Sequence, residues 1–175
     1  IAAARVAVSL DPVGIRSRSF LGLQLRYDRQ YAESERILSA LIAEAPKLGN
    51  VHYELGQSAL STGDPERALA EFEAETVDWK HATGLAMAWH ALGQKDKAQQ
   101  ALEAPLATGD PDWSGFQQAQ IHAQWGEPDA AFAALETALR VGDPALVAIL
   151  SDPFLDPLRP DPRFAQLLVR LKLPH

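Results

Sequence analysis

Five histidines, His52, His81, His90, His122 and His175, are the first residues to weigh for metal or acid–base chemistry. No two of them stand as H-x-x-x-H, the spacing that places two imidazoles on one helix face for zinc. The chain has no cysteine, so it offers neither thiolate ligands nor disulfides. Glu71, Glu73 and Glu75 crowd one short stretch, and Glu71 and Glu75 share a helical face. Such a pair is the raw material of general acid–base work, but a solvated outer face is the simpler reading. Ser58 lies in "GQSAL", inside a helical pattern, and lacks the G-x-S-x-G turn that presents a nucleophile. No G-x-x-x-x-G-K-[ST] loop and no dinucleotide glycine fingerprint is present. The residues therefore point to a chain that is not an enzyme, with no cofactor and no metal.

The elements that carry these residues are set by punctuation. In "TGDPERALAEFEAE" (62–75), Gly63 suits the left-handed close of one helix. Asp64 can cap the next, and Pro65 fits its first position. Ala68, Leu69 and Phe72 then fall on one face at helical spacing. The chain of 175 residues is 47% apolar and 22% charged, which is globular composition and the length of one domain. No apolar run reaches the ~18 residues that a membrane span needs. The opening "IAAARVAVSL" carries Arg5 and reads as the interior of a helix, so the chain is expected to be a fragment of a longer protein. The compartment stays open, with the cytoplasm ranked ahead of the periplasm.

Net charge is −7 and unevenly placed. Residues 51–140 carry five Lys and Arg against fourteen Asp and Glu, which argues against nucleic acid and anionic membrane as partners. Residues 1–50 carry seven against five, and Arg16, Arg18, Arg26, Arg29 and Arg36 are read as a solvated helix face with some attraction for acidic partners.

A period runs through the chain. Leu21-Gly22 and Leu55-Gly56 are 34 residues apart, as are Tyr31 and Pro65, Ser34 and Ala68, and Leu38 and Phe72. The pattern returns with Leu85-Ala86, Gly93, Ala98 and Leu102, and again with Gln118-Ala119, Gly126, Ala131 and Leu135. This resembles the tetratricopeptide repeat (TPR) family, whose signature places Leu-Gly in a first helix and Ala-x3-Phe in a second. The Leu-Gly pair stands intact twice and is weakened twice, the leading aromatic is replaced by Arg18, His52, Ala82 and Gly115, and only Pro46 closes a repeat where the family has Pro. The resemblance implies an all-α fold: a right-handed TPR-like superhelical solenoid of antiparallel helix pairs with a C-terminal capping helix. Residues 1–12 would be the trailing helix of a truncated repeat, 13–141 about four helix pairs, and 142–175 the cap. Small residues (Gly22, Gly56, Ala86, Ala119) would let helices approach, and Leu21, Leu55, Leu85, Leu38, Phe72, Leu102 and Leu135 would fill the seams. The tail, with four Asp-Pro steps, is read as a short helix near 144–151 and a final helix near 162–171. Its "SDPFLDPLRPDPRF" is similar to the closing segment of bacterial TPR regions joined to signalling or transcription-regulator proteins.

The family lines its concave groove with the first helices of successive repeats. Carried onto this chain, that implies a partner-binding groove of Arg26, Tyr27, Tyr53, Gln57, Met87, His90, Trp113, Phe116 and Gln120. Arg16, Ser19, Leu23, Asn50 and Lys80 stand at further groove positions. The implied ligand is a peptide or helix of a partner protein. The alternatives are an intramolecular regulatory module of a larger signalling or transcription protein, or self-association as a homodimer. The variety that clamps a terminal carboxylate is not expected, because Ser19, Leu23 and Glu54 stand at three of its positions.

Overall fold

The computed structural model describes residues 1–106 and 115–174 and is helical throughout, with no strand among the described residues. Among the described residues ten α-helices follow in order: α1 (Ala2–Leu10), α2 (Ile15–Tyr27), α3 (Tyr31–Glu44), α4 (Val51–Ser61), α5 (Pro65–Ala74), α6 (Asp78–Ala91), α7 (Lys95–Leu106), α8 (Gly115–Trp125), α9 (Pro128–Val141) and α10 (Pro162–Arg170). Two short 3-10 turns, Pro144–Ala148 and Pro153–Leu158, lie between the last two helices. The chain forms two compact units, residues 1–105 and 106–175.

The helix ends share one device. Gly63, Gly93, Gly126 and Gly142 all have positive φ, between 69° and 83°. After each, the next N–H returns to a carbonyl five residues back: Asp64 to Ala59, Gln94 to Trp89, Glu127 to His122 and Asp143 to Ala138, at 2.8–2.9 Å. This closes carbonyls that a helix end otherwise leaves bare. Between α2 and α3 the same bond runs from Gln30 to Leu25, and the left-handed residue is Arg29, with φ 60°. Asp64 then caps α5 by accepting from the Arg67 N–H at 3.1 Å, with Pro65 in the first turn.

In the first unit, α2, α4 and α6 lie side by side, α3 packs on α2 and α4, and α5 on α4 and α6. Leu25, Leu38, Leu41, Leu55 and Phe72 are buried completely or nearly so. Each such side chain contributes about 1.5–3 kcal/mol by leaving water. Phe72 of α5 sits between two glycines. A Cβ on Gly56 of α4 would lie 2.5 Å from its ring, and one on Gly84 of α6 would lie 2.1 Å from it. The tight approach in α6 thus falls at Gly84, and Leu85 is only partly buried. Gly22 of α2 plays the same part against Leu38, 2.6 Å from a built Cβ. Helix α1 packs on α2 through Ala4, Leu21 and Leu25, and Arg5 forks onto Glu33 of α3 at 2.7–2.8 Å.

In the second unit α8 and α9 pair closely, with Gly115 against the backbone of Ala134 and Ala138. The Asp-Pro tail packs back on α8 through the second 3-10 turn. Gln124 donates to the Phe154 carbonyl at 2.8 Å, and Phe154, Leu155, Leu158, Phe164, Leu167 and Leu168 are buried. The segment read from sequence as a short helix near 144–151 is a 3-10 turn ending at Ala148. Asp143, Asp152 and Asp161 each accept the N–H two residues on, and the proline between fixes the turn.

Gly84→Ala should force the Phe72 ring aside and cost roughly 1–3 kcal/mol. Adding Phe72→Leu should recover part of it. Urea midpoints of the single and double variants decide, and an unchanged midpoint for Gly84→Ala would mean that the ring moves freely.

Candidate functional site

The polar residues of the first unit converge where α2, α4 and α6 meet. Arg26, in the last turn of α2, donates from Nε to Oε2 of Glu54, in the first turn of α4, at 2.7 Å. Each charge suits its helix end, a cation near a C-terminus and a carboxylate near an N-terminus. The side chains are 1% and 11% exposed, so the pair is buried. The Arg26 guanidinium also lies 4.4 Å over the Tyr27 ring. The reading of Arg26 as part of a solvated face is therefore corrected: the last turn of α2 is covered by α4.

Lys80, near the start of α6, extends over two aromatic rings, 5.0 Å from Tyr53 and 5.2 Å from Trp79. Its ammonium makes no hydrogen bond and no ion pair to a described residue. Burial holds its pKa below the usual lysine value, with Glu54 and Glu75 pulling it up and Arg26 pushing it further down. Glu75 is not on a solvated face, contrary to the reading from spacing. It is 6% exposed and its carboxylate is fully engaged. Oε1 accepts from the N–H groups of Asn50, Thr76 and Val77, and Oε2 from that of Tyr53, at 2.8–3.1 Å. One carboxylate thus satisfies the start of α4 and the turn into α6. Glu71 pairs instead with His52 Nδ1 at 2.8 Å. In the second unit Asp143 does similar work, accepting from Phe116 N–H at 3.2 Å and Ala145 N–H at 2.9 Å.

A cavity of about 390 Å³ opens beside this cluster. Leu23, Leu38, Leu48 and Val51 form its apolar wall, and Ile15 and Phe20 its outer edge. Arg16, Ser19, Asn50, Glu54 and Lys80 supply its polar groups. Five of these residues, Arg16, Ser19, Leu23, Asn50 and Lys80, stand at groove positions carried over from the family resemblance.

None of the eight described residues among the nine named as the groove lines this cavity. Arg26, Tyr53, Gln57 and Met87 are buried in the first unit, and Phe116 and Gln120 in the second. Tyr27 and His90 keep partial exposure, and Trp113 lies outside the described residues. Tyr53 packs its ring on Phe72 and Trp79, at 5.8 and 6.2 Å between centroids. Gln57 is 1% exposed, with neither amide atom hydrogen-bonded. Gln120 donates to Asp152 at 2.6 Å. On α4 the cavity thus takes Val51 and Glu54 and misses Tyr53 and Gln57. Leu48, from the α3–α4 connection, and Val51, the first residue of α4, had no signal as site residues beyond being apolar. Among the described residues no group of three or more His, Asp or Glu is placed to hold a metal ion, and no helix is long and apolar enough to cross a membrane.

Arg26→Met should leave the Glu54 carboxylate buried without its partner and cost about 3–5 kcal/mol. Arg26→Met with Glu54→Leu should return most of that, as denaturant midpoints would show. Lys80 gives a pH signature. Its folded pKa lies below the unfolded value of about 10.4, so the unfolded chain holds the proton more tightly. The resulting cost is fully present at neutral pH and fades as pH rises through the folded pKa. Lys80→Met should therefore be at least as stable as the parent at neutral pH, with the gap narrowing in alkali. A gap that widens with pH would contradict the desolvation of Lys80. Set against known proteins, the chain matches no family model, no curated protein and no solved structure.

Proposed function

We propose that the chain is a TPR-like, non-catalytic module that binds a peptide or helix of a partner protein on the face formed by its first helices. The observation that carries this reading is the cavity over α2, α4 and α6, where apolar walls adjoin a lysine ammonium that makes no hydrogen bond or ion pair to a described residue. Two further features support it. Helix pairs recur with the same closing bond, and small residues set the spacing between pairs. Clefts of this size with few polar groups are the usual places for ligands. An effector domain of the same protein would serve as ligand equally well, which is the intramolecular form of this reading.

Self-association is a second reading, and a specific observation favours it. Leu10 is 81% exposed, Val13 80%, Val6 57% and Phe20 50%, an apolar set on α1, α2 and the turn between them. Exposed apolar residues in such number mark interaction surfaces.

Panning a displayed random-peptide library on the intact chain tests the first reading. Selected peptides should bind in fluorescence anisotropy, and Leu23→Trp, which fills the cavity, should weaken them about ten-fold or more while helix content is retained. Peptides that ignore Leu23→Trp, or no selected peptides at all, would overturn it. Sedimentation equilibrium tests the second: a monomer at all concentrations would exclude self-association.

A further inference from the structure

The charges around the cavity do not balance. Glu75 spends both oxygens on four backbone N–H groups. Glu54 spends Oε2 on Arg26. Lys80 and Arg16, both lining the cavity, have no ion pair with any described residue. The groups facing Lys80 are Glu54, Glu75 and Arg26, and the negative charges among them are already committed. The cations Arg16, Arg26 and Lys80 outnumber the carboxylates Glu54 and Glu75 there, so the balance is positive. Beside these charges stands the aliphatic wall of Leu23, Leu38, Leu48 and Val51.

We infer that the occupant is an extended segment of a partner protein in which an Asp or Glu side chain stands within a few residues of a bulky aliphatic side chain. This deepens the peptide-binding reading above and rests on it. The aliphatic side chain fills the wall, and the carboxylate meets the Lys80 ammonium with Arg16 at the rim. A carboxylate is the complement of this site on two grounds. A cation over aromatic rings and partly shielded from water gains more from an anion than it would on an open surface. Lys80 is partly buried, so folding has already borne part of its desolvation and the ligand need not supply that part again.

Glu54 decides where in the partner the carboxylate lies. Its Oε1 makes no hydrogen bond to a described residue and is free to accept a main-chain N–H of the bound segment. A terminal α-carboxylate would be held close to its own N–H and thus close to Glu54, which repels it. An Asp or Glu side chain reaches away from the main chain to Lys80. The acidic group is therefore internal to the segment.

The test uses short fluorescent peptides, acetylated and amidated at their ends, with Leu placed one to three residues from Asp or Glu, and the intact chain. Asn and Gln versions, Leu→Ser versions and a neutral peptide with a free C-terminal carboxylate complete the set. Leu-Asp and Leu-Glu peptides should bind. Replacing the acid by its amide should weaken binding about ten-fold, the usual size for a hydrogen bond to a charged group. Lys80→Met should remove that difference, Lys80→Arg should keep most of it, and added salt should reduce it. If the acidic and amide versions bind equally, the inference fails while the peptide-binding reading stands. Preference for the free C-terminus also overturns it. If no peptide binds, whether from this set or from the random library, both fail together. Urea midpoints of the two Lys80 variants confirm that each is folded.

Discussion

The ring of Phe72, carried on α5, sets how closely α4 and α6 approach. Its Cδ1 and Cε1 atoms are met by both Gly56 of α4 and Gly84 of α6, where no Cβ fits. A helix pair of this kind cannot bury its apolar stripe alone. The packing of one pair on the next is therefore a condition of folding, and it is set by a single aromatic thickness. The start of α6 inherits its place from that spacing. Lys80 stands over Tyr53, and Tyr53 stands on Phe72. The cavity thus combines this close helix packing with Leu48, Gly49 and Asn50 of the connection between α3 and α4.

The charged residues obey a stricter rule than the apolar ones. A buried carboxylate is costly unless its acceptors are used. Glu75 and Asp143 meet the rule through backbone N–H groups at helix starts, and Glu54 meets it through Arg26. Lys80 is the exception, since aromatic faces only partly replace the water it has lost. Real chains tolerate such exceptions mainly where something else arrives to complete them. Glu54, Glu75 and Arg26 are thus tied into the fold, while Lys80, within the same three helices, makes no hydrogen bond or ion pair to a described residue.

Helices were legible in the sequence because their ends are written locally. Gly63, Gly93 and Gly126 announce the breaks, and Asp64-Pro65 announces a start, through conformations that few other residues adopt. The break at Arg29 was less visible, since a residue with a Cβ takes the left-handed position there. The family-derived positions of Arg16, Ser19, Leu23, Asn50 and Lys80 fell at the cavity, because periodicity alone places them on the first helices. The burial of Arg26, Tyr53 and Gln57 was not legible. It depends on which turn of α2 is covered by α4, a tertiary fact that spacing along one helix does not encode. Glu75 was misread for a related reason. Beside Glu71 and Glu73 it looks like one more surface charge, and only the return of the chain to the start of α4 buries it.

The recurrent closing bond has an evolutionary corollary. In each case the bond is completed within six residues, from the last turn to the residue after the left-handed one. Nothing downstream takes part in it. The connection after α3 and that after α5 can therefore gain or lose residues without unravelling the turn inside either pair. Spacings of 34, 30 and 33 residues between successive left-handed positions, from Arg29 through Gly63 and Gly93 to Gly126, are tolerated by the same architecture. Variation is admitted at the joints between pairs and excluded within them. A lineage of such chains can adjust the pitch from one pair to the next, and with it the width of a cleft, by small insertions that leave every hairpin intact.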